Sequence, residues 1–162
     1  MTADQYQAPR AVSELSSDLS LALGRAIWAF SVVESATFDY MQKLSKEPLH
    51  ELMDDQLFKA RVKLVRRLIE RIEGFHTEKA NALQYLSQAE RLANTRNAIA
   101  HNPWRVWADL EARELRANIQ PRRANAVALT RKSVEKFTAE AQALAVGLFG
   151  ALGSLPSVCN LP

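Results

Sequence analysis

Cysteine is almost absent from this chain. Cys159 is the one thiol in 162 residues, which excludes a disulfide framework within the chain and a cysteine-rich zinc site, and suits a reducing compartment. Glycine is scarce too, at five residues, so a turn-rich all-β chain is disfavoured and no glycine-rich phosphate loop is present. The N-terminus, Met1-Thr2-Ala3-Asp4-Gln5-Tyr6-Gln7, has neither a basic start nor an apolar signal core. No uninterrupted apolar run reaches the length that spans a bilayer. The expectation is a soluble, cytoplasmic protein with no membrane partner. No serine-centred elbow and no cysteine and histidine pair offers nucleophilic catalysis.

What is present is globular material, 48% apolar and 24% charged, long enough for one domain with its own core. The net charge of +3 hides an uneven distribution. Residues 1–54 hold 4 basic against 8 acidic side chains, residues 55–101 hold 9 against 5, and residues 102–162 hold 8 against 5. The positive part begins where a second helix is expected. A basic surface favours polyanions through counterion release.

A 3.6-residue rhythm dominates the chain. Over about 13–44, Leu15, Leu19, Ala22, Ala26, Phe30, Val33, Thr37, Tyr40 and Leu44 recur at three- and four-residue steps, the mark of a long amphipathic helix. Pro48 breaks it. Asp54 or Asp55 can cap a second helix with Leu57, Leu64, Leu68 and Ile72 in one stripe and Val65 and Ile69 beside it, ended by Gly74. Thr77 and Glu78 open a third helix through Leu83, Leu86, Ala89 or Glu90, Ala93 and Ala100, and Pro103 stops it near His101. Between Trp104 and Leu129 the rhythm fails, and the alternation of Val106, Ala108, Leu110 and of Leu115, Ala117, Ile119 suggests a small β-hairpin or irregular excursion. Thr130 caps a last helix through Val134, Phe137, Ala141, Leu144, Leu148 and Phe149, which Gly150 and Gly153 terminate. The expected fold is all-α, an antiparallel four-helix bundle in one domain over residues 13–153, with flexible termini at 1–12 and 154–162.

The segment Arg96-Asn97-Ala98-Ile99-Ala100-His101-Asn102-Pro103-Trp104 carries the chemical signal. Residues five apart lie about 140° apart around a helix, so Arg96 and His101 do not stack on one face. They converge only through the release of the helix at His101, through the reach of the arginine, or through a second copy across a two-fold axis.

These residues resemble the motif of HEPN (higher eukaryotes and prokaryotes nucleotide-binding) domains, an arginine, a polar residue, three further positions and a histidine near the end of the third helix. The wider run Arg91 to Trp104 resembles poorly characterised bacterial members. The resemblance implies a homodimer and a metal-independent endoribonuclease that needs no cofactor and leaves 2′,3′-cyclic phosphate and 5′-hydroxyl ends. It implies His101 as acid and base, Arg96 as phosphate clamp, and Asn97 as the residue that orients the pair or the substrate, with Asn102 alongside. A toxin–antitoxin or phage-defence setting, with an antitoxin or regulatory protein as partner, belongs to the same resemblance. Pro103 stands where family members modified by a nucleotidyltransferase antitoxin carry a tyrosine. The alternative within the family is a non-catalytic dimerisation or nucleotide- and nucleic-acid-binding module.

Glu34 lies on the border of the first helix's apolar face, where a carboxylate needs a partner, and Arg96 is the candidate. Lys63, Arg67 and Arg71 form a basic row that can track an RNA backbone, and Trp104 or Trp107 can stack bases. Plainer readings stay open. His101 can be a helix cap with Arg96 paired to Glu90 or Asp109, the basic row a solvated face with Arg66 paired to Glu70, and the tryptophans core or dimer contacts. Glu47-x-x-His50 and Glu73-x-x-His76 have di-metal spacing, but Pro48 and Gly74 interrupt them, and no metal site is expected.

Overall fold

The computed structural model describes residues 4–112, 114–121 and 127–157, with side chains from Arg10 onward. Among these, the elements are α1 (Asp4–Leu44), α2 (Leu49–Leu52), α3 (Phe58–Glu70), α4 (His76–His101), β1 (Trp104–Asp109), β2 (Glu114–Ile119) and α5 (Arg131–Ser154). The described residues are mostly helical with one two-stranded sheet, in keeping with the sequence periodicity.

Helix α1 buries the expected row, Leu19, Ala22, Ala26, Phe30, Val33, Thr37, Tyr40 and Leu44, with Leu15 half-buried. It starts at Asp4 rather than Ser13. Contrary to the expectation drawn from uninterrupted runs, α1 between Arg10 and Leu44 is long and apolar enough to cross a membrane, with an 18-residue window of mean hydropathy 1.3. Many of those apolar positions form the core, so the same composition serves packing against α3, α4 and α5.

The helices do not simply alternate in direction. Asp18 meets Arg131, Tyr40 meets Leu148 and Lys43 meets Leu152, so α1 and α5 run the same way. The cause is the connection after α1. Phe58 packs edge-on against Phe30 at 5.4 Å, about 20 Å back along α1 from Leu44, so residues 45–57 return the chain before α3 begins. Helices α3 and α4 are antiparallel, with Arg66 bonded to Ser87 and Glu90, and Lys79 bonded to the Glu70 and Ile72 carbonyls.

Phe30 also stacks on Phe137 at 6.0 Å and so joins three helices. Burial of such a ring contributes about 2–3 kcal/mol, and Phe30→Ala would leave a cavity costing about 3–5 kcal/mol. Two lysines satisfy terminal carbonyls that helices leave unpaired. Lys43 donates to Leu152 at 2.6 Å, and Lys79 donates to Glu70 at 3.1 Å and to Ile72, just beyond α3, at 2.6 Å.

Several boundaries differ from the sequence expectation. Asp54 and Asp55 do not cap α3; its N-cap is Leu57, extended at φ −58° and ψ 142°, with no side-chain bond. The α3 core face is Phe58, Arg61, Val62, Val65 and Ile69, whereas Leu57 is 81% exposed and Leu64 and Leu68 are half-buried. The aromatic contact of Phe58 with Phe30 turns the helix away from the leucine stripe. Gly74 sits at φ 71° and Phe75 at φ 50°, a left-handed pair that reverses the chain into α4 one residue before Thr77. Ile99 rather than Ala100 is buried there.

The hairpin pairs Trp104 with Ile119 through Asp109 with Glu114, antiparallel. Ile119 is fully buried and also bridges Leu129, fastening the hairpin to the core. Thr130 caps α5 as expected, in a reciprocal box with Ser133. Gly150 and Gly153 do not end α5, which runs on to Ser154 because Ala151, Leu152 and Leu155 are buried and favour continued packing.

Candidate active site

Helix α4 presents Glu90, Ala93, Asn94, Asn97 and His101 at three- and four-residue steps, so they form one stripe. Opposite lies the start of α3, with Leu57, Phe58 and Lys59. Together with Arg96 these residues line a cleft of about 480 Å³. Asn97 and His101 are exposed on the stripe, one turn apart. His101 is the last residue of α4. Asn102 caps that end, donating from Nδ2 to the Ala98 carbonyl at 2.8 Å in an extended conformation that leads into Pro103.

Arg96 enters the cleft from its buried flank. Its Nη2 donates to Glu34 Oε1 on α1, and its guanidinium lies over the Phe30 ring at 5.3 Å. The same carboxylate oxygen stands 3.8 Å from Arg61. Arg61 is 8% exposed, stacks over Phe38 at 4.5 Å and donates to the Gln56 carbonyl at 3.1 Å. Two guanidinium groups thus share one carboxylate against aromatic faces, where planar, weakly hydrated cations are tolerated. Burial lowers the pKa of Arg61, opposed by the charges of Glu34 and Asp54 and reinforced by Arg96. Glu34 alone faces both cations, and Asp54 adds a second negative charge that acts on Arg61.

The start of α3 adds to this field. Its first turn carries no acidic residue and no side-chain cap, although Asp54 and Asp55 precede it closely in the chain. Glu90, the carboxylate on the stripe, is bound by Arg66 at 2.9 Å. With Lys59 and Arg96 on its lining and Glu90 held by Arg66, the cleft suits an anion.

Arg96, Asn97 and His101 are brought together in this cleft, and Glu34 is joined to it through Arg96. Arg96 pairs with neither Glu90 nor Asp109, which bond Arg66 and Arg116 instead. Arg66 likewise reaches across to α4 rather than along its own helix to Glu70. Lys63, Arg67 and Arg71 are exposed on α3 outside the cleft. Trp104 is half-buried against the core, its indole Nε1 buried without a partner among the described residues, and so does not offer a free stacking face. Glu47, Glu73 and His76 are exposed, and among the described residues no three His, Cys, Asp or Glu side chains converge.

Sequence reading missed Lys59, Asn94 and Arg61. Asn94 was visible as the residue seven before His101. Nothing in the local pattern marks Arg61 as buried, because its place is set by Glu34, 27 positions earlier in the chain.

Compared with known protein families, curated proteins and solved structures, the chain matches none. The site is therefore read from its own chemistry.

Proposed function

We propose that this chain is a HEPN-like helical domain, with α1, α3, α4 and α5 as its four-helix unit, acting in the cytoplasm as a metal-independent endoribonuclease. The observation that carries the reading is the joint presence of His101, Asn97 and Arg96, with Lys59, in one cleft. His101 takes the proton from a 2′-hydroxyl as its oxygen attacks phosphorus, and a proton passes to the departing 5′-oxygen. Arg96 compensates charge on the phosphate oxygens. Products are a 2′,3′-cyclic phosphate and a 5′-hydroxyl. Asn97 orients the histidine or the substrate, and Asn102 fixes the helix end that carries His101.

A homodimer is part of the proposal. Trp28 is 67% exposed and Leu21 53% exposed, one heptad apart on α1, an apolar pair that a second copy can cover.

One observation favours a second reading, a non-catalytic interaction or nucleic-acid-binding module: the guanidinium of Arg96 is already engaged by Glu34, as in a structural ion pair. Incubation of the purified protein with RNA in EDTA, beside His101→Ala, separates the two. The enzyme reading expects cyclic-phosphate ends and a loss of about 100-fold or more in the variant. Absence of cleavage by the unaltered protein beyond background supports the module instead, and a solution mass of one chain counts against the dimer in both readings.

A further inference from the structure

Four cations stand in one row on α3 and its C-cap. Lys59, Lys63, Arg67 and Arg71 follow at four-residue steps, and all four are exposed. Each step advances about 6 Å along the axis with a small drift around it, so the row extends about 18 Å. The helix carries no acid before Glu70. Its other arginines are occupied, Arg61 beside Glu34 at 3.8 Å and Arg66 on Glu90 at 2.9 Å. Among the described residues, none of the four in the row is ion-paired. Like charges at i,i+4 destabilise a helix; Arg67 in the last turn is relieved by the helix dipole and by Glu70 three positions on, whereas Lys59 and Lys63 have no acidic neighbour at i±3 or i±4 within α3. Lys59 belongs to both features, since it heads the row and lines the cleft with Arg96, Asn97 and His101.

We propose that the row is the path of a single-stranded RNA whose reacting phosphodiester lies in the cleft, with Lys59 joining track to site. The proposal rests on the cleft being an RNA site and adds where the rest of the strand runs. A row one side chain wide, with steps comparable to the spacing of successive phosphates in an unstacked strand, follows one backbone. A duplex presents two backbones, of which a single row engages one. The sugar-phosphate contacts supply affinity without reading sequence.

The test measures binding, so it stands apart from cleavage. In a His101→Ala background with EDTA, binding of a labelled single-stranded RNA is titrated at about 50 mM and about 200 mM salt. Two quadruple variants are compared, K59Q/K63Q/R67Q/R71Q and a control of equal charge change at exposed sites elsewhere, R25Q/K46Q/K132Q/K136Q. Four phosphate contacts on a single strand correspond to about a 50-fold loss of affinity across that salt range. The row variant is expected to lose that dependence and the control to keep it, with both melting as cooperatively as the parent. Equal salt dependence in parent and row variant, an equal loss in the control, tighter binding of duplex than of single strand, or no binding by the parent overturns the proposal. If binding behaves as expected while the unaltered protein never cleaves, the nuclease reading fails and the track stands.

Discussion

Arg96 near the end of α4 donates to Glu34 in the middle of α1, joining residues 62 positions apart at the edge of the core. Glu34 is the one carboxylate facing two guanidinium groups there. Glu34→Gln leaves Arg96 without a counter-charge, and Arg61 with only the more distant Asp54, in a partly buried place. The expected cost is about 2–3 kcal/mol, below the range for fully buried pairs because the Glu34 side chain keeps 25% exposure. Urea unfolding measures it; a change under about 0.5 kcal/mol shows that the pair is a surface contact.

Arg61 should respond oppositely. Arg61→Met keeps the packing beside Phe38 and leaves Glu34 matched one-to-one with Arg96. Removal of this second, buried cation is expected to leave stability within about 1 kcal/mol of the parent, or to raise it. A loss of more than about 2 kcal/mol means that its bond to the Gln56 carbonyl and its ring contacts outweigh its desolvation.

Tyr40 gives a pH signature. Its hydroxyl is buried, donates to the Leu148 carbonyl at 2.9 Å, and burial pushes its pKa well above the ordinary 10.0. The folded state therefore holds the proton more firmly than the unfolded state. That contribution is fully present below pH 10.0 and is lost as pH rises from there towards the folded pKa. Tyr40→Phe is expected to cost about 1 kcal/mol at neutral pH and to flatten the alkaline fall in melting temperature. An unchanged alkaline limb assigns the fall to other groups.

Gly147 sets two opposing effects against each other. Alanine raises helix propensity by about 1 kcal/mol, but a Cβ there would lie 2.5 Å from Tyr85 Cε1 and 2.7 Å from Cζ. Tyr85 is half-buried and its ring must move. The clash, about 1–3 kcal/mol for an overpacked contact, is expected to win, and Gly147→Ala should melt lower. A higher melting temperature would mean that the ring swings out freely, and Tyr85→Ala combined with Gly147→Ala should remove the conflict.

The cap of α5 is a local test. Thr130→Ala removes the acceptor for the Ser133 backbone N–H, 3.2 Å away, and is expected to cost about 1 kcal/mol. Denaturant midpoints that coincide with the parent show that solvent replaces the cap.

Local chemistry alone determined a good part of this protein. The row from Leu19 to Leu44, the cap at Thr130, the stop at Pro103 and the alternation of β2 follow from backbone periodicity and neighbouring side chains, which act over a few residues, whereas Val106, Ala108 and Leu110 are all exposed and do not alternate. The partnership of Glu34 with Arg96 was legible for a related reason: a carboxylate on an apolar border needs a cation. Tertiary structure decided the rest. The return of residues 45–57 set α1 and α5 in the same direction, Phe58 against Phe30 rotated α3, and that rotation buried Arg61 and carried Lys59 to the mouth of the cleft. None of these is marked by local spacing, because each depends on contacts between segments whose meeting costs chain entropy and is rewarded only when the whole core closes.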